Sequence, residues 1–150
     1  MGNICRSPMA EGVFNALIEE RGVRDRFELD SAGTHAYHVG EPPDKRAQRT
    51  MKAEREIDIS GQRARRVVGE DFERFDLVIA MDRENLRNLE QQCPEQYRDR
   101  VRLLLEFVDG SDTLDVPDPY YGPGDGFLRV LDLVEAGCRG LLDDIDARGS

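Results

Sequence analysis

MGNICRSPMAEGVF (Met1–Phe14) is the stretch on which the reading of this chain turns. Gly2 and Asn3 form a small-residue turn. Ser7 followed by Pro8 reads as an N-cap and first helical residue, because a serine oxygen accepts from an orphan amide and proline has no amide to leave unpaired. The spacing of Val13, Phe14, Leu17 and Ile18 puts them on one face of a helix running from Pro8 to about Arg21, with Gly22 closing it. A turn that feeds a helix N-terminus aims several amides at one point, the helix dipole adds partial positive charge, and Arg6 supplies a two-pronged donor. Gly2, Asn3, Ile4, Cys5, Arg6 and Ser7 therefore make a good anion cradle. On their own they fit equally well a plain turn whose arginine caps nearby carbonyls.

Outward from this segment, strand and helix patterns alternate. FELDSAGT (Phe27–Thr34) alternates apolar and polar residues into a turn and is predicted as a strand. A polar loop with Pro42 and Pro43 precedes a weakly amphipathic helix from about Asp44 to Glu56. FDLVIAMD (Phe75–Asp82) is a branched apolar run suited to a buried parallel strand, and RENLRNLEQQ behind it is predicted helical. VRLLLEFV (Val101–Val108) fits helix or strand by periodicity, and its length favours strand. The Gly-, Pro- and Asp-rich stretch DGSDTLDVPDPYYGPGDG is a long loop, of the kind that carries function in compact domains. In the last helix, from about Gly126 to Asp146, Phe127, Val130, Leu131, Val134, Cys138, Leu141, Leu142 and Ile145 recur at helical spacing. The expected fold is α/β: a single three-layer domain with a parallel, Rossmann-like four-stranded sheet flanked by helices. In such sheets ligands bind beyond the carboxyl ends of the strands, where loops enter helices.

Composition narrows the function. With 150 residues, 39% of them hydrophobic, the chain is expected to form one domain over residues 1–150. A net charge of -10 argues against a nucleic-acid or anionic-membrane binder, and means that local groups must hold any anionic substrate against the overall field. Cys5, Cys93 and Cys138 are too scattered for a disulfide framework or a zinc site, which favours a reducing, cytoplasmic setting. No signal segment or membrane-length apolar run is evident.

Taken with the distant loop, the cradle resembles that of the low-molecular-weight protein tyrosine phosphatases, whose phosphate loop reads Cys-x-Gly-Asn-x-Cys-Arg-Ser-Pro and whose acid loop reads Asp-Pro-Tyr. GNICRSP (Gly2–Pro8) matches the first from its third position, and DPYYG (Asp118–Gly122) matches the second. DSAGT (Asp30–Thr34), GEPPDKRA (Gly40–Ala47), ARRVVGEDF (Ala64–Phe72) and MDRENL (Met81–Leu86) resemble the segments between, in the family's order. The resemblance covers nearly the whole chain. In register, the family's nucleophilic cysteine falls one residue before Met1, and the apolar strand that leads into it lies further upstream. The domain is thus expected to be N-terminally incomplete as given.

The resemblance implies a protein tyrosine phosphatase that works through a cysteinyl-phosphate, with no metal or cofactor. Its partners would be a phosphotyrosine-containing protein or peptide and inorganic phosphate as product, with no nucleic acid and no membrane, in a monomer or weak dimer. Arg6 and the amides of Gly2 through Ser7 would stabilise the equatorial oxygens, and Asp118 would protonate the departing phenolate. Asn3, Ser7 and Ser31 would form the supporting polar network, with Gln62 where several members place a histidine. Tyr37, Tyr120 and Tyr121 would wall the substrate cleft. Cys5 matches the second loop cysteine, which can protect the nucleophile in a reversible disulfide; beside Arg6 in the rim, it is badly aimed for in-line attack.

Outside these motifs, His35 and His38 read as surface residues near the cleft rim, Cys138 as core, Cys93 as an incidental loop thiol, and RARR (Arg63–Arg66) as a solvated patch in preference to a surface that orients acidic phosphopeptides. Two rival functions share the fold. One is a catalytically inactive phosphate- or phosphotyrosine-binding protein. The other is an arsenate reductase, disfavoured because no resolving cysteine follows the FDLVIAMD strand until Cys93 and because the acid loop reads DPYY.

Overall fold

The computed structural model describes residues 6–33, 39–111, 113–117 and 126–147. The described helices are α1 (Arg6–Glu20), α2 (Lys45–Arg55), α3 (Gly69–Arg74), α4 (Arg83–Gln92) and α5 (Gly126–Ala147); the strands are β1 (Val78–Ala80) and β2 (Val101–Leu103). The two strands pair in parallel, Val78 opposite Val101 and Ala80 opposite Leu103.

Side-chain alternation along β1 builds three layers. Ile79 and Met81 face a large core with α1, α2 and α5, where Met9, Ile18, Met51, Val130, Val134 and Leu142 are fully buried. Val78 and Ala80 face a smaller core on the other side, made with Val67, Phe72 and Leu89 from around α3 and α4. The expected α/β class and layering are therefore observed.

Local chemistry sets the boundaries. Helix α1 begins at Arg6, so Ser7 sits in its first turn and does not cap it, a correction to the sequence reading; Pro8 is tolerated there because first-turn amides have no helical acceptor. At the other end Gly22 takes φ 73°, the Val23 amide donates to Ile18 O at 2.9 Å and the Gly22 amide to Glu19 O at 3.1 Å, which is the expected glycine stop. Asp44 caps α2 by accepting from the Arg46 amide at 2.8 Å.

The strands are shorter than their sequence patterns. The predicted strand over 27–34 appears among the described residues as one parallel bridge, Gly33 to Arg66. The stretch over 101–108 is strand for three residues and then a tight 3-10 turn over Leu104–Phe107. The reason is Glu106, whose carboxylate reaches back to accept from the Leu103 amide at 2.7 Å and closes the turn. Helix α5 lies directly on that turn: a Cβ at Gly140 would stand 2.1 Å from the Phe107 carbonyl oxygen, and one at Gly137 would stand 2.5 Å from Leu104 Cγ.

Candidate functional site

Arg6 opens α1 and is 4% exposed. A buried guanidinium needs acceptors, and three surround it. Nη1 donates to Asp82 Oδ2 at 2.6 Å and to the Val116 carbonyl at 2.7 Å, and Nη2 donates to Asn85 Oδ1 at 3.3 Å. Among the described residues, Nε and the second Nη2 hydrogen have no acceptor; together they form the edge of a guanidinium that binds an oxyanion with two bonds.

The acceptors are fixed in turn. Asp82 follows β1 and caps α4, its Oδ1 accepting from the Asn85 amide at 2.7 Å while Oδ2 serves Arg6. Val116, fully buried, donates its amide to Met81 O at 2.8 Å. One residue earlier, Asp115 accepts from the Arg83 amide at 2.8 Å and pairs with the Arg83 side chain at 2.9 Å, which holds the Asp115 carboxyl below its usual range. The loop that leads towards Asp118 is thereby stitched to the start of α4, with Val116 against Arg6. Sequence reasoning missed Asp82, Asn85 and Asp115 as parts of this arrangement. The available signal was Asp82 itself, an N-cap residue directly after an apolar run.

A second polar group lies behind α1. Ser31 Oγ donates to Gln62 Oε1 at 3.5 Å, and Gln62 Nε2 donates to the Pro8 carbonyl at 3.1 Å, so Gln62 ties the 27–33 segment to the first turn of α1. Glu11, one turn further along, hydrogen-bonds Ser31. Burial raises its pKa; the Ser31 bond opposes the shift, Asp30 adds to it and Arg65 opposes it.

Of the sequence-predicted residues, the structure thus brings Arg6 into a built site and places Ser31 with Gln62 close behind it, while Ser7 lies in the first turn of α1. Gly2, Asn3, Ile4, Cys5, Tyr37, Asp118, Tyr120 and Tyr121, as well as His35 and His38, lie outside the described residues. Two other readings change. Cys93 is no incidental loop thiol: it is 4% exposed, ends α4 and packs in the smaller core. The RARR stretch is partly structural, since Arg65 pairs with Asp30 and Asp71 at 3.0 Å each. Cys138 is core, as expected, with burial pushing its thiol up to about 12.

Among the described residues, no cluster of His, Cys, Asp and Glu could hold a metal ion, and no helix is long and apolar enough to cross a membrane.

The sequence profile described as low molecular weight phosphotyrosine protein phosphatase matches residues 1–150. A low molecular weight protein-tyrosine-phosphatase of Streptomyces coelicolor is 46% identical over 145 residues, covering 94% of this chain and 87% of that protein. The protein-tyrosine-phosphatase YfkJ of Bacillus subtilis is 40% identical over 145 residues, covering 97% of this chain and 91% of that protein. The crystal structure of YfkJ superposes with a TM-score of 0.93 over all of this chain and 92% of that one. A protein tyrosine phosphatase from Entamoeba histolytica, 38% identical, also superposes with a TM-score of 0.93, over all of this chain and 95% of its own.

Proposed function

As the chain belongs to the low-molecular-weight phosphotyrosine protein phosphatase family, we propose that it hydrolyses phosphotyrosine monoesters on proteins or peptides and releases inorganic phosphate. The observation that carries this reading is Arg6: its guanidinium is buried at the start of a helix and fixed by Asp82, Asn85 and the Val116 carbonyl, and its Nε–Nη2 edge, which suits an oxyanion, has no acceptor among the described residues. Fixing the fork before substrate arrives removes the reorganisation that a mobile arginine would need, which is how such groups favour a transition state.

In this reading the nucleophile is the cysteine thiolate that the family register sets one residue ahead of Met1. The S–P bond forms as the P–O bond to the tyrosine breaks in line, and Asp118 gives its proton to the departing phenolate. Water then hydrolyses the cysteinyl-phosphate, with Asp118 taking the proton from water. Arg6 and the amides of Gly2 through Ser7 hold the equatorial oxygens throughout. Tyr37, Tyr120 and Tyr121 flank the phosphotyrosine ring, and Asn3, Ser7 and Ser31 steady the loop. Each step draws on side chains and water. The setting is a reducing cytoplasm, which keeps the thiol available, and the working form is a monomer or weak dimer.

The test is turnover of p-nitrophenyl phosphate and of a phosphotyrosine peptide by the chain extended upstream with an apolar strand, a cysteine and one further residue. Expected are turnover by the extended chain, its abolition by replacing that cysteine with serine, and a kcat about 100-fold lower or worse for Asp118→Asn. No turnover with the thiol in place, alongside retained phosphate binding, would establish a non-catalytic anion binder.

A further inference from the structure

Lys45, Arg49 and Lys52 follow one another at helical spacing along α2, which sets them in a row on the side of the helix opposite its buried residues, Ala47 and Met51. All three are exposed, and among the described residues none has a carboxylate or carbonyl partner. The cations that flank the row are engaged. Arg46 pairs with Asp44 at 3.3 Å and lies 4.9 Å from the centre of the Phe127 ring, and Arg55 reaches Glu135 and Asp132 of α5. Asp58, whose carboxyl feels the charge of Lys52, accepts from the Ser60 amide at 2.9 Å. A chain of net charge -10 thus places both of its lysines in one unpaired row.

The row starts at the Arg6 end of the molecule. The lead-in to α2 is held to residues 62–64: the Gly40 amide donates to Ala64 O at 2.7 Å and the Ala64 amide to Glu41 O at 2.8 Å. In the same segment Gln62 donates to the Pro8 carbonyl, in the first turn of α1. Deeper in, α1 and α2 meet at matching depth, where a Cβ at Gly12 would stand 3.1 Å from Met51 Cε. Lys45 is therefore level with the start of α1, and Lys52 lies roughly 10 Å further along the helix. That span equals about three residues of extended chain.

We propose that this row is a docking strip for acidic residues next to the phosphotyrosine, so that the preferred substrate carries three or four consecutive Asp or Glu residues beside it. The strip deepens the phosphatase reading and rests on it for the phosphotyrosine itself. Because the chain as a whole repels an acidic peptide, any preference for one has to come from local cations near the phosphate. A short row also suits a short acidic segment, whereas an extended polyanion would meet the remaining negative charge.

Two phosphotyrosine peptides, both acetylated at the amino end and amidated at the carboxyl end, test the strip. One carries four glutamates on each side of the phosphotyrosine and the other glutamines in their place. With the extended chain, kcat/KM for the glutamate peptide is expected to exceed that for the glutamine peptide at least about fivefold at low salt, and the ratio to fall towards one in about 0.5 M salt. Lys45→Glu with Lys52→Glu should bring the ratio to one or below while leaving p-nitrophenyl phosphate turnover unchanged, which also reports that the variant is folded. Arg24→Glu with Arg98→Glu, an equal charge change on exposed residues outside the row, should keep the ratio within about twofold of the parent. In the chain as it stands, acetylation of Lys45 and Lys52, followed by mass spectrometry, should slow at least about threefold with the glutamate peptide and not with the glutamine peptide. Equal kcat/KM for the two peptides, or an unchanged ratio in the double lysine variant, would overturn the strip and leave the phosphatase reading standing wherever p-nitrophenyl phosphate is turned over. Loss of that turnover in the parent would count against the phosphatase reading instead, and lysines left unprotected by the glutamate peptide would then overturn the strip as well. Protection by phosphatidylserine vesicles in place of the peptide would assign the row to a membrane surface and likewise overturn the proposal.

Discussion

Arg6 carries a positive charge into a space that is almost closed to water, and among the described residues Asp82 is the carboxylate paired with it. Breaking a buried pair from the anionic side leaves the cation unpaired, which costs more than the pair itself contributes. Asp82→Ala is therefore expected to destabilise the chain by about 3 kcal/mol in urea denaturation. In the extended, active form it should lower kcat more than it raises KM, because what is lost is the orientation of the fork. Restoration of kcat by Asp82→Glu would be the signature of a positioning role. Glu11 makes a second prediction. Burial raises its folded pKa above the ordinary 4.5, so the native state holds the proton more tightly than the unfolded chain does. Stability attributable to this group is then greatest below pH 4.5 and falls as pH rises from there through the folded pKa. Glu11→Gln should consequently melt at a higher temperature than the parent at pH 7 and at nearly the same temperature at pH 4. A variant that is less stable at pH 7 than at pH 4, relative to the parent, would contradict this.

At the scale of elements, helix α5 packs closely against the turn over Leu104–Phe107. Gly140 permits it, since any Cβ there would meet the Phe107 carbonyl oxygen. Gly140→Ala is expected to cost about 2 kcal/mol and to lower Tm by roughly 6 °C, because backbone has to move to admit the methyl group. Gly69, in the first turn of α3, faces open space, and Gly69→Ala should change stability by about 0.5 kcal/mol or less, in the favourable direction. If the two alanines behaved alike, helix propensity rather than crowding would govern α5. Element existence was largely readable from periodicity: α1, α2, α4 and α5 fall within a residue or two of their expected ranges. Helix α3 was not, because six residues are too few to show a helical repeat, and its helix depends on Asp71 accepting from the Val68 amide while pairing with Arg65. The early end of β2 was hidden for a similar reason: VRLLLEFV is uniformly apolar on either reading, and one carboxylate, Glu106, bends it.

At the scale of the whole molecule, burial decides which thiols react. Cys138 sits in the large core with its thiol pushed up to about 12, and burial raises Cys93 as well. In a Cys5→Ser background both are expected to resist iodoacetamide at pH 8 while the chain is folded and to react fully in denaturant, as mass spectrometry would read directly. Labelling of either in the native state would show that its core opens readily. Cys93 also illustrates how context outweighs sequence, since QQCPEQ has a loop's composition and yet delivers a buried cap for α4.

By itself the sequence determined the α/β class, the order of the main helices, the Gly22 stop, the placement of Arg6 at a helix start and the family, because periodicity, turn residues and compact motifs act over a few neighbouring positions. Only the tertiary structure decided that Asp82, Asn85 and the Val116 carbonyl hold Arg6, that Gln62 bridges Ser31 to Pro8, and that α5 rests on a turn at Gly140. Those contacts join residues tens of positions apart in the chain. Nothing in local composition encodes such a meeting; it exists once the two cores have closed on either side of the sheet and the buried polar groups have had to find one another.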